Sequence, residues 1–144
     1  MKTVRIFNSL TNKVEEFKPI TEGKASIYYC GPTVYDYPHI GNCRPPVVFD
    51  LLRRVLLYIG YDVKFVSNFT DVDDKLIKKA AEEGITVKEV ADKYINEYFI
   101  DAKGLGVLPA TVHPRATENI DEITKRYDNI DQIAIDMNNI ANEM

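Results

Sequence analysis

The sequence predicts an α/β fold, a parallel sheet followed by a helical C-terminal part. Three observations predict it. Two β-prone runs, "ASIYYCG" over 25–31 and "YDVKFVSNF" over 61–69, flank the amphipathic stretch "VVFDLLRRVLLYIG". Strand, helix and strand within about 45 residues make a βαβ unit, which pairs its strands in parallel through a right-handed crossover. Beyond residue 70 the patterning turns mostly helical.

Taken in order, residues 3–8 ("TVRIFN") and 14–18 ("VEEFK") alternate as short strands around the turn-like "SLTNK". "ASIYYCG" is compact, ends on glycine and reads as a buried strand. Apolar residues at 47, 48, 51, 52, 55, 56 and 59 recur at helical spacing, and Gly60 stands where a helix would stop. "YDVKFVSNF" is rich in β-branched and aromatic residues, as strands are. "DVDDKLIKKAAEEG" reads as an N-capped helix closing at Gly84, and Thr86 with Glu89 frames a capping box opening a helix through about residue 103. "GLGVLPATVHP" reads as a loop or short strand. From Pro114 onward, Ile120, Ile123, Tyr127, Ile130, Ala134, Met137 and Ala141 alternate three- and four-residue steps. Such a stripe must be buried, against this chain or another.

A chain of 144 residues fits a single domain with one hydrophobic core, and 45% hydrophobic with 28% charged residues is ordinary for a globular protein. Charge interrupts the apolar runs well before the roughly 18 residues a membrane span needs. "MKTVRIFNSL" is too short in apolar residues for a secretory signal, so the expectation is a cytoplasmic protein with no membrane partner. A net charge of −4 excludes a general nucleic-acid coat, leaving "RPPVVFDLLRR" and "KLIKK" as local basic candidates. Cys30 and Cys43 make no disulfide framework and read as free thiols or ligands.

In parallel sheets the ligand lies beyond the carboxyl ends of the strands, here Cys30-Gly31 and Asn68-Phe69-Thr70. Between the first strand and its helix lies His39-Ile40-Gly41-Asn42. Backbone N–H groups at a helix start can face an anion, glycine lets a base or ribose pack on the main chain, and a histidine and an amide can donate to phosphate oxygens. Taken alone the four residues leave a nucleotide site and a structural loop both open, and Cys30 is equally a ligand or a space-filling thiol. Asp71, Asp73 and Asp74 read as acids that cap a helix and offset its dipole. His113 reads as a loop residue, Lys75, Lys78 and Lys79 as a solvated helix face. Tyr28, Tyr29, Tyr37 and Tyr58 are core or pocket-wall candidates.

The run "CGPTVYDYPHIGN…VVFDLLRR…GYDVKFVSNFTDVDDKLIKKA" widens the context, with "VRIFNSLTNKVEEFKPI" before it and "ADKYINEYFIDAKGLGVLPATVHPRATENIDEI" after. Collinearly over roughly residues 3–123 it resembles the N-terminal half of the catalytic domain of the bacterial cysteinyl-tRNA synthetase family, which is class I. The resemblance implies a Rossmann-like half-domain of the HIGH-motif nucleotidyl-transferase kind over 1–123, with 124–144 a divergent C-terminal helix. It implies ATP-dependent activation of cysteine to cysteinyl-adenylate and transfer to tRNA(Cys), with ATP as substrate together with Mg2+. His39 and Asn42 would be catalytic, in an Asn-ending variant of the motif, and Pro32, Thr33 and Gly41 would join them in binding ATP. Cys30, Gly31, Thr33, Tyr35, Asn68 and Thr70 would receive cysteine. Cys30 would also be one ligand of a Zn2+ that reads the substrate thiol, a preference soft zinc supplies over the oxygen of serine.

Three departures stand out. Cys43 occupies a place where that family more often has a small residue such as alanine. Pro46 follows Pro45, and both read as early-helix prolines that need no intrahelical partner. The other zinc ligands, the second half of the core, the lysine-rich signature loop and the anticodon-binding part would lie past residue 144. A truncated or split piece of the enzyme is thus expected, with an incomplete zinc site, completed by a missing C-terminal half or self-associating through 120–144. The alternatives are a non-catalytic paralogue that binds nucleotide or protein, and a cysteine ligase with a small amine acceptor.

Overall fold

The computed structural model describes residues 3–125. β1 (Arg5–Asn8) and β2 (Lys13–Glu16) form an antiparallel hairpin with Arg5 opposite Glu16 and Asn8 opposite Lys13. Its turn passes through Asn12 at a φ of 56°, a left-handed conformation that asparagine tolerates. Phe17 leaves the hairpin to meet the Tyr61 ring edge-on, which ties this ribbon to the main core.

β3 (Lys24–Tyr29) and β4 (Asp62–Ser67) pair in parallel, in register from Lys24 opposite Asp62 to Tyr29 opposite Ser67. Burial alternates along both strands, so Ala25, Ile27 and Tyr29 with Val63 and Phe65 form one covered face. The strand expected to be buried is therefore buried on one side only. α1 (Ile40–Tyr58) covers that side with Phe49, Leu52, Leu56 and Ile59, and Phe49 stacks on Tyr29 at 5.3 Å.

α1 corrects the sequence reading in two ways. It begins at Ile40 rather than 47, so Pro45 and Pro46 lie inside the helix, in its second turn. Neither can donate to the carbonyl four residues back. Of the apolar band read from the sequence, Leu52, Leu56 and Ile59 face the sheet. Val47, Val48, Leu51 and Val55 are exposed, because the band is wider than the face the sheet covers.

α2 (Asp74–Glu83) and α3 (Val87–Gly104) pack on each other over a second core of Val34, Phe69, Leu76, Ala80, Val90, Tyr94 and Tyr98. Asp73 caps α2 by accepting the Lys75 N–H at 2.9 Å, and Gly84, at φ 67°, ends it in the left-handed conformation. Thr86 and Glu89 form the expected reciprocal box on α3. A hydrogen bond of 2.8 Å between the hydroxyls of Tyr29 and Tyr98 joins the two cores.

The stretch read as a loop or short strand runs beside β4. Val112 and Arg115 bridge in parallel to Val66 and Phe69, with Ser67 N–H donating to the Val112 carbonyl and Phe69 N–H to that of Pro114. A short 3-10 turn, Thr117–Asn119, leads into helical residues 120–125. The apolar stripe from Tyr127 onward, and the self-association expected of it, fall outside the described residues. No helix among the described residues is long and apolar enough to cross a membrane.

Candidate functional site

Past their last ladder bonds, β3 and β4 stay together. Gly31 N–H donates to Asn68 Oδ1 at 2.9 Å, Thr70 N–H to the Pro32 carbonyl at 3.1 Å, and Val34 N–H to the Thr70 carbonyl at 3.2 Å. Thr33 and Thr70 form a parallel bridge. The approach is so close that a Cβ on residue 31 would lie 1.8 Å from the Asn68 carbonyl oxygen, so only glycine fits. Tyr28 Oη also donates to Asn68 Oδ1, at 3.0 Å. Burial pushes the Tyr28 hydroxyl pKa up, and the adjoining Cys30 thiol adds to the shift. Cys30 is exposed. Tyr28, Cys30, Gly31, Asn68 and Thr70 thus form one cluster at the carboxyl end of the sheet.

His39 is the N-cap of α1. Its Nδ1 accepts the Gly41 N–H at 3.0 Å, while its own N–H donates to Asn42 Oδ1 at 3.2 Å. With Nδ1 occupied as an acceptor, the proton of the neutral ring sits on Nε2. A Cβ on Gly41 would lie 2.8 Å from the His39 ring, so glycine there lets the imidazole fold over the helix end. The Asn42 and Cys43 N–H groups both donate to the His39 carbonyl. The helix start was expected to offer backbone amides to an anion. Here the amides of 41, 42 and 43 serve the cap, so the outward donors are His39 Nε2–H and the Asn42 amide nitrogen. No acidic residue stands in the first turn, which leaves the positive end of the α1 dipole uncompensated.

His39 and Asn42 open onto a cavity of about 320 Å3 whose other walls include Pro32, Thr33, Tyr35 and Lys75, with Tyr94 and Tyr98 contributed by α3. One pocket therefore gathers Pro32, Thr33, Tyr35, His39 and Asn42. Cys30, Gly31, Asn68 and Thr70 line the adjoining strand ends instead, and Gly41 acts through the cap.

The family model for the tRNA synthetases class I (C) catalytic domain matches residues 16–139. The chain belongs to this family. Similar curated proteins include the cysteine–tRNA ligases of Clostridioides difficile (strain 630), 59% identical over 120 residues, and Lachnoclostridium phytofermentans, 62% identical over 118. That of Limosilactobacillus reuteri is 59% identical over 120 residues. These alignments cover 82–83% of this chain and 25–26% of the relatives, so the chain spans about a quarter of their length. The parallel β3–β4 pair with its crossover helix is the Rossmann-like half-domain of a class I synthetase.

Several residues of this synthetase domain have partners the sequence reading missed. Asp71 does not cap α2. It is buried and accepts from the Thr117 N–H at 2.9 Å and the Thr117 hydroxyl at 2.6 Å, fastening the 3-10 turn to the end of β4. His113 lies in a loop yet is built in. It stacks on Phe69 at 5.1 Å, Nε2 accepts the Ala110 N–H, and Nδ1 bonds the Ser67 carbonyl. Burial holds its pKa below the ordinary histidine value, which that last bond offsets only in part. Of the three lysines read as a solvated face, Lys75 and Lys78 are exposed as expected, and Lys79 is half-buried. Lys79 lies between Asp36 and Glu83, and Lys75 sits over the Tyr35 ring in the pocket wall. Burial alone would lower the Lys79 ammonium pKa, and Asp36, Tyr94 and Glu83 together raise it above the ordinary value. The signal for this wall was the i, i+4 spacing of Lys75 and Lys79 on one helix face. Among the tyrosines, Tyr29 is core, Tyr37 lines the pocket, and Tyr28 and Tyr58 are exposed.

Among the described residues no three His, Cys, Asp or Glu side chains come together as a metal group. A structural zinc site needs a full tetrahedral set of donors, and Cys30 supplies one thiol. The described residues do not by themselves fit zinc. Cys43 is half-buried, and burial together with Asp101 pushes its thiol pKa up, as expected of a packing residue.

Proposed function

We propose that this domain is the nucleotide-holding part of a cytoplasmic cysteine–tRNA ligase. It takes ATP with Mg2+ and cysteine, forms cysteinyl-adenylate, and serves transfer to tRNA(Cys) together with the further sequence its relatives carry. One observation carries this reading: a single cavity is lined by Pro32, Thr33, His39 and Asn42, with the imidazole locked so that Nε2 keeps its proton. In activation a carboxylate oxygen of cysteine attacks the α-phosphorus. The bond from that phosphorus to the bridging oxygen breaks, and pyrophosphate leaves with the electron pair. His39 Nε2–H and the Asn42 amide would donate to the non-bridging oxygens, where negative charge grows, and a preorganised donor is worth most there. Cysteine would lie where the strand ends meet the cavity, against Cys30, Gly31, Asn68 and Thr70 with Thr33 and Tyr35 of the cavity wall, and the Gly31–Asn68 contact fixes the spacing of the two main chains there.

Equilibrium dialysis of ATP against the chain tests the reading. Wild type should bind saturably, with His39→Ala and Asn42→Ala each weakening affinity about tenfold, the worth of a hydrogen bond to a charged group. Circular dichroism checks that the loss of the cap leaves the helix content intact. No saturable binding by wild type, or indifference to both substitutions, overturns the proposal. Cysteine-dependent pyrophosphate exchange distinguishes activation from nucleotide binding alone.

A further inference from the structure

α2 starts beside the pocket rather than away from it. Asp73 fixes the first turn by accepting the Lys75 N–H, which sends the Lys75 side chain across Tyr35, with Nζ 5.0 Å from the ring centroid. Both residues line the cavity that holds His39 and Asn42. A cation over an aromatic face is held at a defined position without being neutralised.

The neighbouring cations are already committed. Lys79 pairs with Glu83 at 3.5 Å and Asp36 at 4.0 Å, and Lys93 pairs with Glu83 at 2.8 Å. Lys78 turns outward to Glu82. Asp36 is the acid in the pocket lining, and Lys79 compensates it. Among the described residues, no carboxylate stands within ion-pair distance of Lys75 Nζ. Asp73 at the N-cap and Asp74 in the first turn offset the α2 dipole, yet neither carboxylate comes within ion-pair distance of the ammonium. The N-terminus of α1, whose His39 and Asn42 line the same cavity, carries no acid in its first turn. The cavity therefore brings together an unpaired ammonium, an imidazole N–H, an amide and an uncompensated helix end. Those are the parts of an anion site.

We infer that Lys75 is the polyphosphate contact of this pocket, binding the β- and γ-phosphates of a nucleoside triphosphate in the cavity that His39 and Asn42 also line. The inference rests on the nucleotide reading of the cavity and adds to it a residue and the ligand group it meets. Tyr35 then acts as a positioning residue, since its ring carries the ammonium.

Calorimetric titration of the full chain at low salt with inorganic pyrophosphate, ATP and adenosine tests it. Lys75→Ala should weaken pyrophosphate and ATP about tenfold and leave adenosine unchanged. Lys75→Arg should stay within about threefold of wild type, since it keeps the charge. Lys78→Ala, which removes the same charge from the outer face of α2, should change nothing. The inference is overturned if wild type fails to bind pyrophosphate, if Lys75→Ala binds it as wild type does, or if Lys78→Ala weakens it equally. It is also overturned if Lys75 governs affinity for a short single-stranded RNA and not for pyrophosphate. Lys75-dependent pyrophosphate binding without adenosine binding upholds the anion contact and removes the nucleotide reading.

Discussion

Gly31→Ala tests how tightly the strand ends are joined. The added methyl carbon would lie 1.8 Å from the Asn68 carbonyl oxygen, 2.9 Å from Ser67 Oγ and 3.0 Å from the Asn68 carbonyl carbon. Ordinary van der Waals contact begins near 3.4 Å, so the Asn68 backbone must retreat by about 1.5 Å, more than packed interiors absorb without strain. Two of the three obstacles are main chain and cannot swing aside as a side-chain tip would. The retreat breaks or stretches the Gly31–Asn68, Thr70–Pro32 and Val34–Thr70 hydrogen bonds. At about 1 kcal/mol each, with about 1–3 kcal/mol of overpacking strain, the loss is about 4–6 kcal/mol. A domain of this size holds about 5–15 kcal/mol in all, and Tm should fall by about 10–20 °C. Thermal and urea unfolding followed by circular dichroism read this directly. Gly104→Ala is the control, because a Cβ there meets nothing within 4 Å and the position is helical. It should hold or slightly raise Tm. A Gly31→Ala protein melting within 2–3 °C of wild type, about the effect of one weak hydrogen bond, would refute the close approach.

Three further outcomes follow from named contacts. Asp71→Ala strands both Thr117 donors and should cost about 2–3 kcal/mol in urea unfolding, while Asp71→Asn, which keeps one acceptor, should cost about half. A maleimide at neutral pH should label Cys30 at least about tenfold faster than Cys43, since Cys30 is exposed and the Cys43 thiol pKa is raised; Cys30→Ser should abolish the fast phase. The folded His113 pKa is depressed, so as pH falls the unfolded chain takes up the proton first. The stability contributed by its burial is complete above the ordinary value of 6.5 and is lost as pH drops from there toward the folded pKa. Tm should decline between pH 7.5 and 5.5, and His113→Phe, which keeps the ring stack, should flatten that slope; equal slopes in both proteins would contradict the assignment.

The βαβ unit was legible because its signals are local: the compact β-prone run "ASIYYCG" closing on glycine, β-branched residues in "YDVKFVSNF", and Gly60 where the helix between them stops. The start of α1 was not, since Pro45-Pro46 reads as an opening signal and only the His39–Gly41 and His39–Asn42 hydrogen bonds reveal a helix already under way. Asp71 looked like one of three capping acids because its partner, Thr117, lies 46 residues on. His113 reads as a loop residue for the same reason, with Phe69 and Ser67 far off in sequence. Spacing places Lys75 and Lys79 on one face of α2, but which side of that helix meets the pocket is decided by how α2 docks on α3 and Val34. The grouping of His39 and Asn42 with Pro32 and Thr33 was expected through the family resemblance. The separation of Cys30 and Asn68 into an adjoining cluster emerged only in three dimensions.

The chain has two histidines, and that makes a single spectroscopic measurement decisive. Imidazole resonances of His39 and His113 can be followed by nitrogen-15 NMR as ATP with Mg2+ is added, with His39→Ala supplying the assignment. The account predicts a saturable shift of the His39 ring, its proton remaining on Nε2, while His113, closed in by Phe69 and Phe99, stays still. A His39 ring unmoved at saturating ATP, or a response confined to His113, would contradict it.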